Sequence, residues 1–347
     1  MLVFLAKSLV AEGCEVSLVT YDHGQPNGEL FDGVRVFKSF DPKTGLRGVR
    51  WINRAKRLWD TMRQAGADIY LQMGAGIETA LVALGCREVP GASAKPFVFC
   101  LAHDNNFGEA LHAGRFGWEG KAYQFGLRRA DLIVSQTERQ REGLCAATGL
   151  DSHVITIAAA FPANPAVKAE PPQNRVLWAG RIVPDKRLEW LLEVARQCPD
   201  VIFDIAGSPN TPSAYATALV EQAGQLPNVR LHGRVGADEM NRLYQKARMF
   251  CNTSAAEGFP NTYPEAWSHG LPIVATFDPD GIVVRNGLGR IASTVGELVS
   301  AIQELLGSRA LYEEASRSTR RYFEENHSTT VVAQRFCSLF DKLPTHS

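Results

Sequence analysis

Short, continuously apolar segments alternate with amphipathic segments along the whole chain. The apolar segments predict strands, and they are CEVSLVTY, VRVFKSF, ADIYLQM, KPFVFCLAH, ADLIVSQT and HVITIA in the first half and RVLWAG, VIFDIAG, VRLHG, RMFCNTS and PIVAT in the second. Several intervening segments place apolar residues at helical spacing, as at Leu188, Leu191 and Leu192. Strands that are apolar throughout and separated by helices form parallel sheets with helices on both faces. The sequence therefore predicts an α/β protein.

The length of the chain predicts two domains, because 347 residues exceed what one hydrophobic core usually holds. The segment FPANPAVKAEPPQN, residues 161–174, contains four prolines and no periodicity, which is typical of a linker. We expect an N-terminal domain over 1–165 and a C-terminal domain over 166–326. A last helix over about 327–347 is expected to return to the first domain, because two helical segments follow the last predicted strand.

The first element of the chain is predicted to be a helix. Leu2, Leu5, Ala6 and Leu9 form a helical stripe that ends at Gly13, just before the strand CEVSLVTY. We therefore expect the chain to start inside a β-α-β unit, without the strand that precedes such a helix. Two interpretations are open: the first domain tolerates this loss, or the sequence is shortened at its start.

Composition excludes several classes of function. Lys plus Arg and Asp plus Glu both number 37, so no basic field favours nucleic acid. The apolar segments are too short to span a bilayer. The seven cysteines form no C-x-x-C pair, and most lie in apolar segments, which predicts buried free thiols rather than a structural zinc site. These features favour a reducing, cytoplasmic setting.

The segment SAAEGFPNTYPEAWSHGLPIVAT, residues 254–276, is the most informative part of the chain. It places Glu257 and Glu265 on either side of a Gly-Phe-Pro-Asn loop, followed by a short helix and a strand. Carboxylates, backbone N–H groups and a helix N-terminus would meet there, which suits a ligand with both hydroxyls and phosphates, such as a nucleotide-sugar. The alternative is that Thr262 and Glu265 form a capping box, the commoner reason for this spacing. Glu257 precedes the helix and has no capping role.

A second informative segment is WAGRIVPDKRLEWLLEVA, residues 178–195. Its strand ends at Gly180, and Arg181 and Lys186 lie on the loop before the next helix. Ligands of open α/β sheets bind outside the carboxyl ends of the strands, so two cations there could hold a diphosphate. The alternative is a solvated loop with ordinary surface charges.

The first half offers weaker candidates. His103 follows the strand PFVFCLAH and could hydrogen-bond a sugar hydroxyl, although a histidine at a strand end is more often structural. The segment GAGIET, residues 74–79, is interpreted as a tight strand-to-helix turn, because Thr79 replaces the third glycine of a dinucleotide fingerprint. His112, Arg115 and Trp118 lie in a Gly-rich stretch that is more simply an irregular loop.

The pairing of WAGRIVPDK with EGFPNTYPE resembles the retaining GT-B glycosyltransferases of family GT4, whose signature is two glutamates separated by seven residues. The resemblance extends over nearly the whole chain and includes LAHD, SQTERQREGL and GIVVRNGLG. It implies two Rossmann-like domains that face each other across a cleft. It also implies transfer of a sugar from a nucleotide-diphosphate donor to a carbohydrate or lipid-linked acceptor.

The resemblance assigns roles to named residues. Arg181 and Lys186 would neutralise the donor diphosphate, Glu257 would meet the hydroxyls of the donor sugar, and His103 would face that sugar from the first domain. The Glu265 carboxylate would meet the ribose hydroxyls. Contacts to sugar or phosphate would also come from the backbone N–H groups of Gly258, Phe259, Asn261 and Thr262. Near the base would lie Arg234 and Val235.

The resemblance also implies a mechanism that needs neither metal nor cofactor. The departing phosphate would help to deprotonate the acceptor on the front face of the sugar, and pre-placed cations would stabilise it. Peripheral association with the inner face of the membrane is expected where the acceptor is lipid-linked.

Three features depart from the family pattern. Pro260 and Arg187 stand where glycines are usual; Pro260 removes one backbone donor, and Arg187 adds a cation. The usual first strand and its Gly-rich loop are not found. Two other functions therefore stay open: a 2-epimerase or phosphorylase of the same fold, and a non-catalytic sugar-binding or partner subunit.

Overall fold

The chain divides into two compact units. The computed structural model describes residues 2–43, 50–87, 94–112, 117–159, 174–209, 211 and 213–343. Unit 1 comprises Met1–Ala158 and Thr329–Ser347, and unit 2 comprises Ala159–Ser328. Apart from Asn174, the predicted linker lies outside the described residues.

Unit 1 contains two sheets. Its strands are β1 Val16–Thr20, β2 Glu29–Phe31, β3 Val34–Lys38, β4 Tyr70–Met73, β5 Phe97–Cys100, β6 Leu132–Ser135 and β7 His153–Val154. Its helices are α1 Leu2–Ala11, α2 Arg50–Ala65, α3 Glu78–Arg87, α4 Trp118–Leu127, α5 Glu138–Thr148 and, from the end of the chain, α13 Thr329–Phe340. One sheet has the strand order β1-β3-β2 and the other the order β4-β5-β6-β7.

The pairing in these sheets is parallel except between β2 and β3. Asp32 and Gly33 form the turn of this hairpin, and both have positive φ angles, 49° and 81°. The expectation of purely parallel sheets is therefore wrong at β2. This strand has only three residues, all of them exposed, so it lacks the apolar character that identifies a buried strand.

Helix α1 confirms the stripe predicted from the first residues of the chain. Its Leu5, Ala6 and Leu9 side chains are buried. Leu5 and Leu9 belong to one apolar cluster with Val332 and Phe336 of α13, and the same cluster includes buried residues of β5 and β6. The last helix therefore belongs to the core of unit 1.

Unit 2 is a single six-stranded sheet covered by helices. Its strands are β8 Arg175–Ala179, β9 Ile202–Ala206, β10 Val229–Gly233, β11 Met249–Asn252, β12 Ile273–Ala275 and β13 Gly289–Ile291. Its helices are α6 Leu188–Gln197, α7 Ala214–Gly224, α8 Ala237–Lys246, α9 Thr262–Ser268, α10 Ile282–Arg285, α11 Val295–Gly307 and α12 Arg309–Asn326. All neighbouring strands are parallel, in the order β10-β9-β8-β11-β12-β13.

The strand order of unit 2 reverses between β8 and β11. From β8 the chain builds outward through β9 to β10, and it then returns to β11 and builds outward through β12 to β13. In a doubly wound sheet, loops on the two sides of such a point diverge and leave a crevice at the carboxyl ends of the strands. We therefore expect a ligand to bind at the loops that follow β8 and β11.

No helix in the described part of the chain is both long enough and apolar enough to cross a membrane.

Candidate functional site

The loops that follow β8 and β11 are joined by hydrogen bonds. The Thr253 hydroxyl donates to the carbonyl oxygen of Lys186 at 2.7 Å, and the Ala255 N–H donates to the carbonyl oxygen of Asp185 at 2.8 Å. The Trp178 indole N–H donates to the same Thr253 hydroxyl at 3.1 Å. These bonds bring the two informative segments of the sequence together at the reversal of strand order.

Glycines allow the ends of three strands to approach closely beside these loops. The Gly207 N–H donates to the Gly233 carbonyl oxygen at 2.8 Å, and the Gly180 N–H donates to the Ala206 carbonyl oxygen at 3.0 Å. A Cβ atom on Gly207 would lie 1.9 Å from the Gly180 carbonyl oxygen. Only glycine fits at position 207, the first residue after the end of β9.

Lys186 and Glu257 form an ion pair across the two loops. The Lys186 ammonium contacts Glu257 Oε1, and the two side chains are only 21% and 14% exposed. The Ser254 hydroxyl donates to the same carboxylate oxygen at 2.7 Å. The pair is thus held at the reversal of strand order, with a cation and a carboxylate at one point.

Arg181 lies on the same loop as Lys186 but is exposed. Within the described residues, its guanidinium has no carboxylate or carbonyl partner. The loop therefore carries a second cation that is exposed to solvent.

The loop over 258–262 carries several unpaired backbone donors. Among the described residues, the N–H groups of Gly258, Phe259, Asn261 and Thr262 meet no protein acceptor. The Phe259 ring is buried, with its centroid 6.4 Å from that of Trp267. This ring anchors the loop, and the side chain itself points away from solvent.

The Glu265 carboxylate is bound to a tyrosine, and the capping-box interpretation is wrong. Helix α9 begins at Thr262 after Asn261, and no side chain caps its first turn. The Tyr244 hydroxyl instead donates to Glu265 Oε2 at 2.8 Å. Burial raises the pKa of Glu265, and the hydrogen bond from Tyr244 opposes that rise. The carboxylate is therefore partly withdrawn from water and oriented from one side.

Tyr244 is the residue of this site that sequence reasoning missed. Its ring is fully buried and stacks on that of His269, with centroids 5.1 Å apart. Both His269 nitrogens are engaged, Nδ1 with the Glu265 carbonyl oxygen at 2.8 Å and Nε2 with Asn241 Oδ1 at 2.7 Å. Met240, Leu243, Tyr244 and Ala247 have helical spacing in the sequence, which by itself indicates only a helix face packed on the core.

The residues predicted near the base lie at a neighbouring strand end. Arg234 and Val235 follow β10, whose last residue, Gly233, has a φ angle of 64°. The Arg234 side chain is exposed and that of Val235 is half-buried. Neither contacts the Lys186–Glu257 pair through a hydrogen bond or an ion pair.

The candidates of the first half belong to unit 1. His103 Nδ1 accepts a hydrogen bond from the Asn105 N–H at 3.2 Å, so the neutral ring carries its proton on Nε2. The ring is exposed, and its role towards a donor sugar stays a prediction. His112 and Trp118 are exposed as well, and Arg115 lies outside the described residues.

Two family models match the chain. The model described as "Glycosyl transferases group 1" matches residues 173–308, which include every candidate residue of unit 2. The model described as "Glycosyl transferase 4-like domain" matches residues 3–159. The chain belongs to the GT-B glycosyltransferases of family GT4.

Curated relatives are distant and are matched over part of their length. The GtfA subunit of a UDP-N-acetylglucosamine–peptide N-acetylglucosaminyltransferase from Streptococcus pneumoniae is 25% identical over 172 residues, which are 46% of this chain and 33% of that protein. A D-inositol 3-phosphate glycosyltransferase from Mycolicibacterium gilvum is 28% identical over 217 residues, which are 54% of this chain and 49% of that protein.

Solved structures establish the fold. HepE from Anabaena, solved with UDP and glucose, superposes with a TM-score of 0.75 at 16% identity, covering 98% of this chain and 96% of that one. Sucrose-phosphate synthase from Thermosynechococcus elongatus superposes with a TM-score of 0.73 at 15% identity, covering 97% and 91%. The fold is GT-B, with two Rossmann-like units, and the predicted fold class is confirmed.

Proposed function

We propose that the protein transfers a sugar from a nucleoside-diphosphate donor to a carbohydrate or lipid-linked acceptor. The observation that carries this proposal is the Lys186–Glu257 ion pair, with Arg181 on the same loop as Lys186, where the strand order of unit 2 reverses. A diphosphate needs fixed cations, and a sugar needs a hydrogen-bond acceptor next to them. The loops after β8 and β11 supply both.

Donor binding rearranges the ion pair in this proposal. Lys186 turns its charge to the diphosphate together with Arg181, and Glu257 accepts hydrogen bonds from sugar hydroxyls. The unpaired N–H groups of the loop over 258–262 meet phosphate or sugar oxygens. Glu265, oriented by the Tyr244 hydroxyl, accepts from the ribose hydroxyls. Arg234 and Val235 are assigned to the neighbourhood of the base.

The cations also serve the chemical step. The bond between the anomeric carbon and the phosphate oxygen breaks, and negative charge grows on the leaving diphosphate. Arg181 and Lys186 are placed to stabilise that charge, so the proposal requires no metal ion and no cofactor.

The stereochemical course is proposed to be retention. The acceptor oxygen forms its bond to the anomeric carbon on the face from which the diphosphate leaves. The acceptor proton passes to the departing phosphate oxygen, so no side chain has to act as the base. The resemblance of EGFPNTYPE to the family signature supports this course.

The proposed setting is the cytoplasm, with peripheral attachment to its membrane where the acceptor is lipid-linked. All seven cysteines are free thiols, and six of them lie buried or half-buried. This is the state that a reducing compartment maintains.

The test is a turnover assay with UDP-glucose and UDP-N-acetylglucosamine as first donors, because some of the similar proteins are named for, or solved with, UDP, glucose or N-acetylglucosamine. Nucleoside diphosphate release is followed with EDTA present, and proton NMR reports the anomeric configuration of the product. We expect release with retained configuration, and its loss in Lys186→Ala.

Other outcomes would identify the alternative functions. A released epimer or sugar phosphate would indicate a 2-epimerase or phosphorylase. Donor binding by a well-folded protein without any turnover, across donors and acceptors, would indicate a binding subunit.

A further inference from the structure

Arg187 adopts a backbone conformation that L-residues avoid. It lies between the loop that carries Lys186 and the first residue of α6, with φ 45° and ψ 50°. This is the left-handed region, where a Cβ atom crowds the following carbonyl and where glycine is the usual residue. A non-glycine residue persists there when surrounding contacts compensate for the strain.

The Arg187 side chain makes those contacts. Its Nε donates to the Thr253 carbonyl oxygen at 2.7 Å, and a terminal guanidinium nitrogen donates to the Ser254 carbonyl oxygen at 2.9 Å. The guanidinium also lies over the Trp190 ring, 4.2 Å from its centroid. The planar fork of arginine fits two successive carbonyls, which the point charge of a lysine does not.

These bonds connect both halves of the ion pair. Arg187 follows Lys186 directly in the chain, and the carbonyls that it binds belong to the residues just after β11. One of them is that of Ser254, whose hydroxyl donates to the Glu257 carboxylate. One side chain therefore adds two hydrogen bonds to those that already join the loop of Lys186 to the loop of Glu257.

We propose that Arg187 is a positioning residue that clamps the two loops of the donor site, rather than a third cation for the diphosphate. This inference rests on the proposed function and corrects the expectation that Arg187 merely adds a charge. Its guanidinium already binds two carbonyl oxygens and lies over one aromatic ring, so these protein contacts hold it away from a diphosphate. The charges left for a diphosphate are those of Arg181 and Lys186.

The clamp is tested first on the free protein, by hydrogen–deuterium exchange of the segment 253–258. The Ala255 N–H reports directly, because it donates to the Asp185 carbonyl oxygen across the two loops. Arg187→Ala and Arg187→Lys are both expected to speed exchange there by about tenfold or more, while exchange of β11 stays unchanged. Arg181→Ala is the matched control, since it removes a charge from the same loop without touching a carbonyl, and is expected to leave this exchange unaltered.

Kinetics then test what the clamp does for the reaction. Arg187→Lys keeps the charge and loses the fork, so we expect its kcat to fall about tenfold or more, as in Arg187→Ala, with the donor KM within about threefold. Arg187→Gly relieves the backbone strain and also removes the clamp, and is expected to behave like Arg187→Ala.

Three results would overturn the proposal. Unchanged exchange over 253–258 in Arg187→Ala would mean that there is no clamp. A lysine variant with wild-type kcat beside an impaired alanine variant would assign Arg187 a charge role. A glycine variant with normal exchange and turnover would leave the side chain without any role. If the wild-type protein turns over no donor at all, the proposed function fails. The hydrogen–deuterium exchange of residues 253–258 still decides whether the clamp exists.

Discussion

Replacing Glu257 by glutamine separates the two tasks assigned to the Lys186–Glu257 pair. The variant keeps the shape of the side chain and a partner for the Ser254 hydroxyl, but it removes the negative charge that faces Lys186. The interaction of residue 257 with the donor sugar during the reaction should weaken, whereas Lys186, the cation that binds the diphosphate, is unchanged.

The expected loss of stability follows from the burial of the pair. Exposed ion pairs contribute up to about 1 kcal/mol, and breaking fully buried ones costs about 3–5 kcal/mol. With side chains 21% and 14% exposed and a neutral hydrogen bond retained, Glu257→Gln should cost about 1.5 kcal/mol. For a unit of this size that corresponds to a fall in Tm of about 3–6 °C.

The expected loss of activity is much larger. Removing one charged contact that strengthens in the transition state commonly lowers kcat by about 10²–10³. Binding of the nucleoside diphosphate alone should stay within about threefold of the wild type, because Lys186 and Arg181 are intact. Calorimetry with the diphosphate and a turnover assay measure the two effects separately. Turnover within threefold of wild type, in a variant that still melts cooperatively, would refute the assignment of Glu257 to the donor sugar.

Three other changes have defined outcomes. Arg181→Ala should change stability by less than about 0.5 kcal/mol, yet weaken diphosphate binding about tenfold and make it less salt-dependent in calorimetric titrations. Gly207→Ala, which drives a Cβ into the Gly180 carbonyl, should cost about 2 kcal/mol or more, seen as a lower midpoint in urea. Burial raises the pKa of Glu265 in the folded protein above its ordinary value of 4.5. The protonated carboxyl therefore contributes stability at pH values below 4.5, and this contribution is lost as the pH rises through the folded-state pKa. Glu265→Gln should therefore gain stability over wild type at about pH 7 and gain less at about pH 4; an equal gain at both would contradict the burial of this carboxyl.

The continuously apolar strands and the helices with clear periodic spacing were predictable from the sequence. The five apolar segments predicted as strands in unit 2 correspond to β8 to β12. The side chains of Leu188, Leu191 and Leu192 lie on the buried face of α6, as their spacing predicts. Strands β2 and β13 were not predicted, because their sequences ELF and GRI each contain a charged residue and lie in no continuous apolar segment. The equally short β12 was predicted, because it lies in the apolar segment PIVAT.

The candidate site was predictable only in part. Glu257 and Lys186 were identified, and the structure joins them as an ion pair. The contact of Tyr244 with Glu265 and the clamp of Arg187 were not, because both link residues far apart in the chain. Local spacing describes a helix face or a loop, whereas these contacts arise only once the sheet brings the strand ends together.

The central claim is that the loops after β8 and β11 bind a nucleoside diphosphate through Arg181 and Lys186. The most direct measurement is a thermal-shift panel of UDP, GDP, ADP and TDP with EDTA present, on the wild-type protein and on the variant with both residues changed to alanine. A ligand at about 100 times its Kd adds roughly 2.7 kcal/mol of stability. The account predicts a clear rise in Tm with at least one diphosphate in the wild type, and its loss in the double variant. An equal rise in both proteins, or no rise with any diphosphate in a cooperatively melting wild type, would contradict it.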